Sequence, residues 1–440
     1  MPCDTNHMYE LKSESTRAVS TGNPVLDRVP AIPNQAMAKE FFRQSFRATP
    51  AALEMLKANQ GELYRPIVSM EKQEMLLHDV VAFVRAGFKD RNLIAKGNGE
   101  LFRHSLAIAR QAPNVQGHRE PREVVEIKGA RPRGILFVTS ARMGRRVTAE
   151  RIAQFLGSDP MPIELMTPGG RVMHWYLPVL RVNWSGRLDD FLGKFLTAYG
   201  PAMRQGDLLS EIRVDKGRLE AEALAIMVGL CLGANLGLLI VERIDTSEAG
   251  SNSAGKVWSV LGQLTRATGI PVLCMATTGG ASGLMRHPSA SGELSVKTIS
   301  MPPPASDSAE WADVCSYAYQ EILGGTGKAP SWLVNKLEEL TQCRTALVIK
   351  SCLALAQYGY GDAFWTAVPA DFDEIVKAAL YTEQASLSNV KRLENGIRGY
   401  TRASVMRFAD WLAPGEGPNL VLGLQIQTTL RANLPPELRD

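Results

Sequence analysis

One stretch of this 440-residue chain, Thr139-Ser140-Ala141-Arg142-Met143-Gly144-Arg145-Arg146, stands between an apolar run, GILFVTS (134–140), and an amphipathic segment, VTAERIAQFLG. That context, a strand, a glycine-bearing turn and then a helix, is the setting of the phosphate cradle GxxxxGK[ST]. There glycines let backbone N–H groups wrap the phosphates, a lysine neutralises them and a Ser or Thr holds magnesium. Of the signature positions only Gly144 keeps its residue type; Thr139 replaces the first glycine, Arg145 the lysine and Arg146 the hydroxyl residue. The planar guanidinium of Arg145 is a bulky fork where the turn expects a narrow ammonium, although it retains the charge to meet a phosphate.

A second apolar run, LLIVERID (238–245), falls where such a site needs an Asp-Glu pair to organise magnesium and to polarise the attacking water. Glu242 occupies the first position and Arg243, which cannot act as a base, the second. Because the two motifs must cooperate, damage at both points to lost hydrolysis. A third run ends in Thr277 and Thr278 before GGASG, a place for a γ-phosphate sensor or, equally, a turn capped by threonine. The degenerate nucleotide site read from the sequence is therefore Thr139, Ser140, Gly144, Arg145, Arg146 and Thr277, with Glu242 and Arg243 as the eroded hydrolytic pair.

Arg131, Arg133, Arg142, Arg145, Arg146 and Arg151 crowd this turn with Glu150 as the sole acid between Arg131 and Arg151. They read either as a solvated loop or as an electropositive patch for phosphates, with Arg131, Arg133, Arg142 and Arg151 the candidate DNA contacts. Lys391, Arg392, Arg398, Arg402 and Arg407, interleaved with Tyr400, Phe408 and Trp411, read as the charged face of an amphipathic helix. His174 beside Trp175 is the histidine nearest the expected cleft, in a loop, and suits a surface or stacking role. No catalytic histidine pair, GxSxG, HExxH or EF-hand pattern is present, and no metal site is expected.

The elements that must position these residues read as five units. Residues 1–33 form a polar extension. Residues 34–125 are a helical lead-in carrying AMAKEFFRQSF, PAALEMLKANQ and MEKQEMLLHDVVAFVRAGF, followed by a Pro/Gly-rich connector (111–132). Residues 126–301 alternate short apolar runs with helical segments, the signature of a parallel α/β sheet; four buried strands are expected, GILFVTS, YLPVLRVNW (176–184), GLLIVERID and IPVLCMATT (270–278). Residues 302–383 are all-helical and residues 384–440 form a tail. The composition, 45% hydrophobic with a net charge of +4, supports a packed core and does not by itself demand nucleic acid. The six cysteines are scattered without a CxxC pair and read as reduced core residues. The absence of an apolar run near the roughly 18–20 residues of a membrane span, and of a signal-peptide h-region, points to a cytoplasmic protein without membrane contact.

In their combined order, several strings resemble the TnsC/TniB-type AAA+ regulators of heteromeric transposons over about residues 61–385. HWYLPVLRVNWSGRLDDFLGKFLTAYG is similar to the family's second-strand region, GLLIVERID to its Walker B string, GIPVLCMAT to its sensor strand, and LTQCRTALVIKSCLALAQYG to its helical-lid string. The chain departs from the family at the cradle Lys and Ser/Thr, at both Walker B acids and at Cys343, where the family has glycine. The resemblance implies an AAA+-like three-layer α/β core with a helical lid, in an oligomer, homo- or hetero-, that binds double-stranded DNA. It further implies a link between target-selection (TniQ/TnsD-like) proteins and a transposase. Any cofactor would be ATP or ADP, with or without Mg2+. The residue changes favour an adaptor without normal hydrolysis. The alternatives are an active ATPase with unorthodox residues, and a scaffold or antagonist of an active paralogue that does not touch DNA.

Overall fold

The computed structural model describes residues 21–43, 68–111, 121–167, 170–212, 214–394 and 407–414. The segment PAALEMLKANQ, the centre of the connector and most of the tail lie outside them. Helices α1 (Gln35–Phe42), α2 (Glu71–Asp90) and α3 (Asn98–Ala109) form the lead-in. The N-terminus of α2 is fixed by Gln73, whose side-chain oxygen accepts from Met70 N at 3.1 Å. The amide of the same Gln73 donates to Thr148 Oγ1 at 2.8 Å in the interior, so the lead-in is pinned to the helix that follows the phosphate-type turn.

Strand β1 (Gly134–Thr139) is buried at every residue and runs through that turn into α4 (Arg145–Leu156). Next comes an antiparallel hairpin, β2 (Met161–Thr167) with β3 (Gly170–Tyr176). Then follow β4 (Val179–Asn183), α5 (Leu188–Ala202), α6 (Leu219–Gly233), β5 (Leu238–Ile244), α7 (Ala254–Thr268), β6 (Val272–Thr277), α8 (Thr278–Met285), α9 (Pro288–Leu294) and β7 (Lys297–Met301). The main sheet is parallel with the order β4-β5-β6-β1-β7. Counting only its members in chain order, that is 2-3-4-1-5. Helical crossovers make this sheet a three-layer α/β fold, followed by the helical lid described next, as the alternating strand and helix pattern predicts.

Two features differ from the sequence expectation. The sheet has five strands, not four, because KTISM pairs with β1 along Ile135–Thr139. The run at 176–184 is also divided: Tyr176 closes the hairpin and the sheet strand begins only at Val179, after Pro178, which has no N–H to give a ladder. Between the two strands, Leu177 is held on both sides by backbone bonds, Leu177 N to Ala234 O and Gly237 N to Leu177 O. The hairpin contains His174, which is 5% exposed and so is buried in a strand rather than placed in a loop. Burial first, and the nearby Arg103 second, hold its imidazole below the ordinary range, and it is neutral at physiological pH.

Beyond Pro302 there is no strand among the described residues. Helices α10 (Ala309–Glu321), α11 (Ser331–Thr341), α12 (Thr345–Leu355), α13 (Phe372–Ala379) and α14 (Gln384–Glu394) surround a second core built on Trp311, Leu333, Leu347, Trp365 and Phe372. Leu387 of α14 belongs to this core, so the first turns of the sequence-defined tail pack with the lid. In the sheet domain the largest packing anchor is Trp258, fully buried against Trp184 with ring centroids 4.0 Å apart. Burial of two indoles contributes on the order of 5 kcal/mol each before ordering costs, and this stabilises α7 against the β4 end of the sheet. The five described cysteines, Cys231, Cys274, Cys315, Cys343 and Cys352, are buried unpaired thiols; burial raises Cys274, Cys343 and Cys352 to about 12, so they remain protonated. Cys3 lies outside the described residues. No helix is long and apolar enough to cross a membrane, among the described residues.

Candidate functional site

In a parallel α/β sheet, ligands meet the crevice outside the carboxyl ends of the strands. Here that crevice is framed by the turn after β1, the ends of β5 and β6, and the first turn of lid helix α12. The turn keeps the cradle's backbone shape: Gly144 has φ +80° and starts α4, and Arg142 adopts the left-handed region at φ +68°. Thr139 and Ser140 are buried, and Thr139 donates to the Ser140 carbonyl at 2.9 Å. The Ser140 hydroxyl makes no hydrogen bond. A small hydroxyl residue thus fills the position where glycine would leave room for a phosphate.

Arg145 does not project freely into the crevice. Its Nη1 reaches the carbonyls of Ile244 at 3.4 Å and Met275 at 3.5 Å, at the carboxyl ends of β5 and β6. Burial pushes its guanidinium from 12.5 down to about 10, while Asp410 and then Asp245 pull it upward; it remains a cation at neutral pH. Of the two roles the sequence left open, the Thr277 hydroxyl is seen in the capping one, and its proton goes to another part of the protein. It caps α8 by accepting from Gly280 N at 3.0 Å, and it also lies against the carboxylate of Asp410 and 3.3 Å from the Ile244 carbonyl. With one proton to give, its charge-assisted partner is Asp410. GGASG lies within α8 and not in the turn read from the sequence, and its first glycine is required by close approach, since a Cβ on Gly279 would lie 1.6 Å from Thr246 Oγ1 and 2.9 Å from Asp410 Oδ1.

The hydrolytic half is occupied differently. Glu242 is 7% exposed and forms a two-point ion pair with Arg181 of β4, at 2.6 Å from Nε and 3.1 Å from Nη2. Arg181 also approaches Glu150 at 3.7 Å, and Glu150 in turn accepts from Arg146 at 3.0 Å. Arg146 therefore ends in a surface ion pair on its own helix, not in a metal site. Arg243 sits at φ +60° in a bulge where the β5–β6 register shifts, and its side chain is solvent-exposed. Asp245, the next acid, caps the short turn after β5 by accepting from Ser247 N at 3.1 Å and Glu248 N at 3.4 Å.

The six arginines do not share one face. Arg133 is tied to Asp90 and to the Ala86 carbonyl of α2. Arg151 is 9% exposed, donates to Gln154 at 2.9 Å and lies 6.0 Å from the Phe41 ring centroid. Arg142 is half exposed and pairs with Glu383 at 2.8 Å. Arg131 is exposed. As DNA contacts, Arg131 and Arg142 keep accessible guanidinium surface, whereas Arg133 and Arg151 are held in the packing of the lead-in.

The component absent from the sequence reading is a return of the chain. Residues 407–414, at least 133 positions from their partners in the sheet domain and 67 from Arg344 of the lid, enter the same crevice. The Asp410 carbonyl accepts from Ala141 N of the cradle turn at 2.6 Å; its carboxylate accepts from Thr246 N at 2.9 Å and from Thr246 Oγ1 at 2.7 Å. Thr278 Oγ1 donates to the Leu412 carbonyl at 2.7 Å. From the lid, Arg344, 1% exposed, donates to the Trp411 carbonyl at 2.7 Å and lies 5.5 Å from the Trp411 ring. Gln342, at the end of α11, receives an Arg344 donor at 3.0 Å and donates to Leu387 O at 2.6 Å. An open groove lined by Ser185, Arg187, Asp189, Asp190, Ser247 and Glu248 sets three acids against one arginine, itself paired with Asp189 at 2.6 Å, and so disfavours a phosphate. The hairpin presents a second feature missed in the sequence: Met166, Met173 and Trp175 are exposed on one of its faces. The turn signal PGG at 168–170 and the alternation RVMHWY could have located it.

No family model matches the chain, and no curated protein does. Among solved structures it is similar to a Walker-type ATPase of Pyrococcus abyssi, at 10% identity and a TM-score of 0.37 over 61% of this chain and 71% of that one. It is also similar to the ORC2 protein of Aeropyrum pernix, solved as ADPNP and ADP complexes, at 12% identity and a TM-score of 0.34 over 77% and 86%. At these values the likeness is one of coarse shape.

Proposed function

We propose that this chain is an AAA+-like adaptor that assembles with partner proteins and DNA without conventional ATP turnover, in the manner of the TnsC/TniB-type regulators its sequence resembles. The observation that carries the non-hydrolytic part is the pairing of Glu242 with Arg181 beside an outward-facing Arg243. Magnesium needs a free carboxylate there and water needs a base; one acid is neutralised by a guanidinium and the other is absent. Arg145, bound to the Ile244 and Met275 carbonyls, completes the change at the phosphate side.

The adaptor part is supported by what remains intact: the parallel sheet, the helical lid, and an ion-paired seam between them in which Arg142 and Lys350 both hold Glu383. Exposed Arg131 and half-exposed Arg142 supply the DNA-facing charge in this reading, and the exposed hairpin face supplies apolar surface for protein partners. Steady-state ATPase assays on the purified chain and on an Arg145→Ala/Glu242→Ala double variant test the first part; turnover by the wild type that the double variant loses would overturn it. Duplex-DNA binding across a salt series tests the second. Counterion release predicts an affinity that falls steeply with salt, and the absence of salt-sensitive binding would leave the scaffold without DNA contact as the better reading.

A further inference from the structure

We propose that residues 407–414 are a built-in substitute for a nucleotide: the Asp410 carboxylate and the Trp411 and Leu412 carbonyls occupy the phosphate crevice and join the sheet domain to the lid without any ligand. The inference deepens the non-hydrolytic reading above and rests on its account of the crevice, but not on transposition or DNA.

The argument is one of matched donors. A phosphate cradle works by converging hydrogen-bond donors and positive charge from several elements on a set of anionic oxygens. In this crevice the donors converge on the chain itself. The cradle turn gives Ala141 N, the end of β5 gives Thr246 N and Oγ1, the end of β6 gives the Thr277 and Thr278 hydroxyls, and the lid gives Arg344. Four elements far apart in sequence therefore meet on three consecutive residues. The only full charge that the segment brings into the donor set is a carboxylate, and Arg145 lies close enough for its field to act on that cation. A carboxylate offers the oxygen geometry that hydroxyl and amide donors otherwise find on a phosphate.

The contact also does mechanically what a ligand between core and lid would do. Trp411 packs against Arg344 while the Ala346 N–H of the lid donates to the Arg142 carbonyl of the cradle turn at 3.1 Å. Together with Arg142–Glu383 at 2.8 Å, these fix α12 against the turn. Gly279 leaves the space the segment needs, since a Cβ there would lie 2.9 Å from Asp410 Oδ1. A closed arrangement independent of nucleotide follows.

The test uses the full chain and reads amide hydrogen exchange together with thermal unfolding and the binding of a fluorescent ATP analogue. In the wild type, the Ala141 and Thr246 amides are protected, and neither ATP nor pyrophosphate at millimolar concentration changes the melting temperature or displaces the segment. Asp410→Ala releases protection at Thr246, raises exchange along α12 and lowers the melting temperature by about 5 °C. Millimolar pyrophosphate recovers part of that loss in the variant alone, because the vacated donors accept an added anion. Asp410→Asn, which keeps the shape and loses the charge, gives an intermediate shift and covers the case in which the alanine variant does not fold. The proposal is overturned by rapid exchange at Ala141 and Thr246 in the wild type. ATP binding that displaces the segment overturns it equally, as does an Asp410→Ala chain with unchanged protection. If turnover accompanies release of the segment, both this inference and the non-hydrolytic reading fail; if there is no turnover and those amides are unprotected, only this inference fails.

Discussion

The two halves of the crevice depart from the phosphate-cradle and Walker B patterns in opposite ways. On the cradle side the positive, donor-rich character persists: Gly144 still turns the chain into α4, Arg145 is still a cation, and the donors have found oxygens elsewhere in the protein. On the hydrolytic side the charge of Glu242 persists but is cancelled by Arg181, while Arg243 faces solvent. A binding surface can be refilled by any group of the right polarity. A reaction centre needs one base at one angle, and no substitute geometry replaces it. The difference explains why one half has become a structural joint and the other an ordinary ion pair.

The comparison can be broken most forcefully at Arg344, which links both the segment and the lid to the cradle side. Arg344→Ala strips a buried cation from the Trp411 and Gln342 acceptors, and about 3 kcal/mol of stability is expected to vanish in urea unfolding. Gly279→Ala should follow at about 2 kcal/mol, because a methyl group has no room beside Thr246 and Asp410. Its distinctive signature is lost amide protection at Thr246; a variant that melts lower with that amide still protected would place the strain elsewhere.

On the other side, Arg181→Ala leaves Glu242 in the interior without its partner. The guanidinium is 32% exposed, so solvent screens part of the loss, and about 1–2 kcal/mol is expected. A double-mutant cycle with Glu242→Ala should return a coupling near 1 kcal/mol, and a coupling of zero would mean the pair holds nothing together. The smallest effect is at Glu383. Burial alone would raise its carboxyl, but hydrogen bonds from Lys350 and Thr382 and the charges of Lys350 and Arg142 hold it below the ordinary 4.5. A depressed carboxyl stabilises the fold above its unfolded value and loses that contribution as pH falls through its folded one. The stability gap between wild type and Glu383→Gln, about 1 kcal/mol at neutral pH, should therefore close below about pH 4.5. A gap that widened with acid would reverse the sign assigned here.

The fold was legible where local period and topology agree. GILFVTS, LLIVERID and VLCMAT are continuous apolar runs, and both faces of such strands are buried, so the pattern needs no tertiary information. KTISM escaped because it is short, half-buried and polar at three of its five positions. The cradle turn and the lost acids could be located in the sequence since each lies within one strand–turn unit. Asp410 could not, because its bonds to Thr277 and Thr246 span 133 and 164 residues and nothing local in FADWL marks an acid that will be drawn into a crevice. The arginine cluster shows the same limit of local reading: sequence proximity from Arg131 to Arg151 becomes separate environments once the lead-in packs across Arg133 and Arg151.

The bulge at Arg243 also decides what a single substitution there could achieve. In a strand, a side chain's direction is set by its place in the alternation, and the extra residue at φ +60° has changed that alternation next to the crevice. Writing a glutamate back at position 243 would restore a letter of the motif while leaving it aimed at solvent. If the crevice is non-hydrolytic as proposed, turnover would require three changes at once: a straightened backbone at Arg243, release of Glu242 from Arg181 and expulsion of residues 407–414.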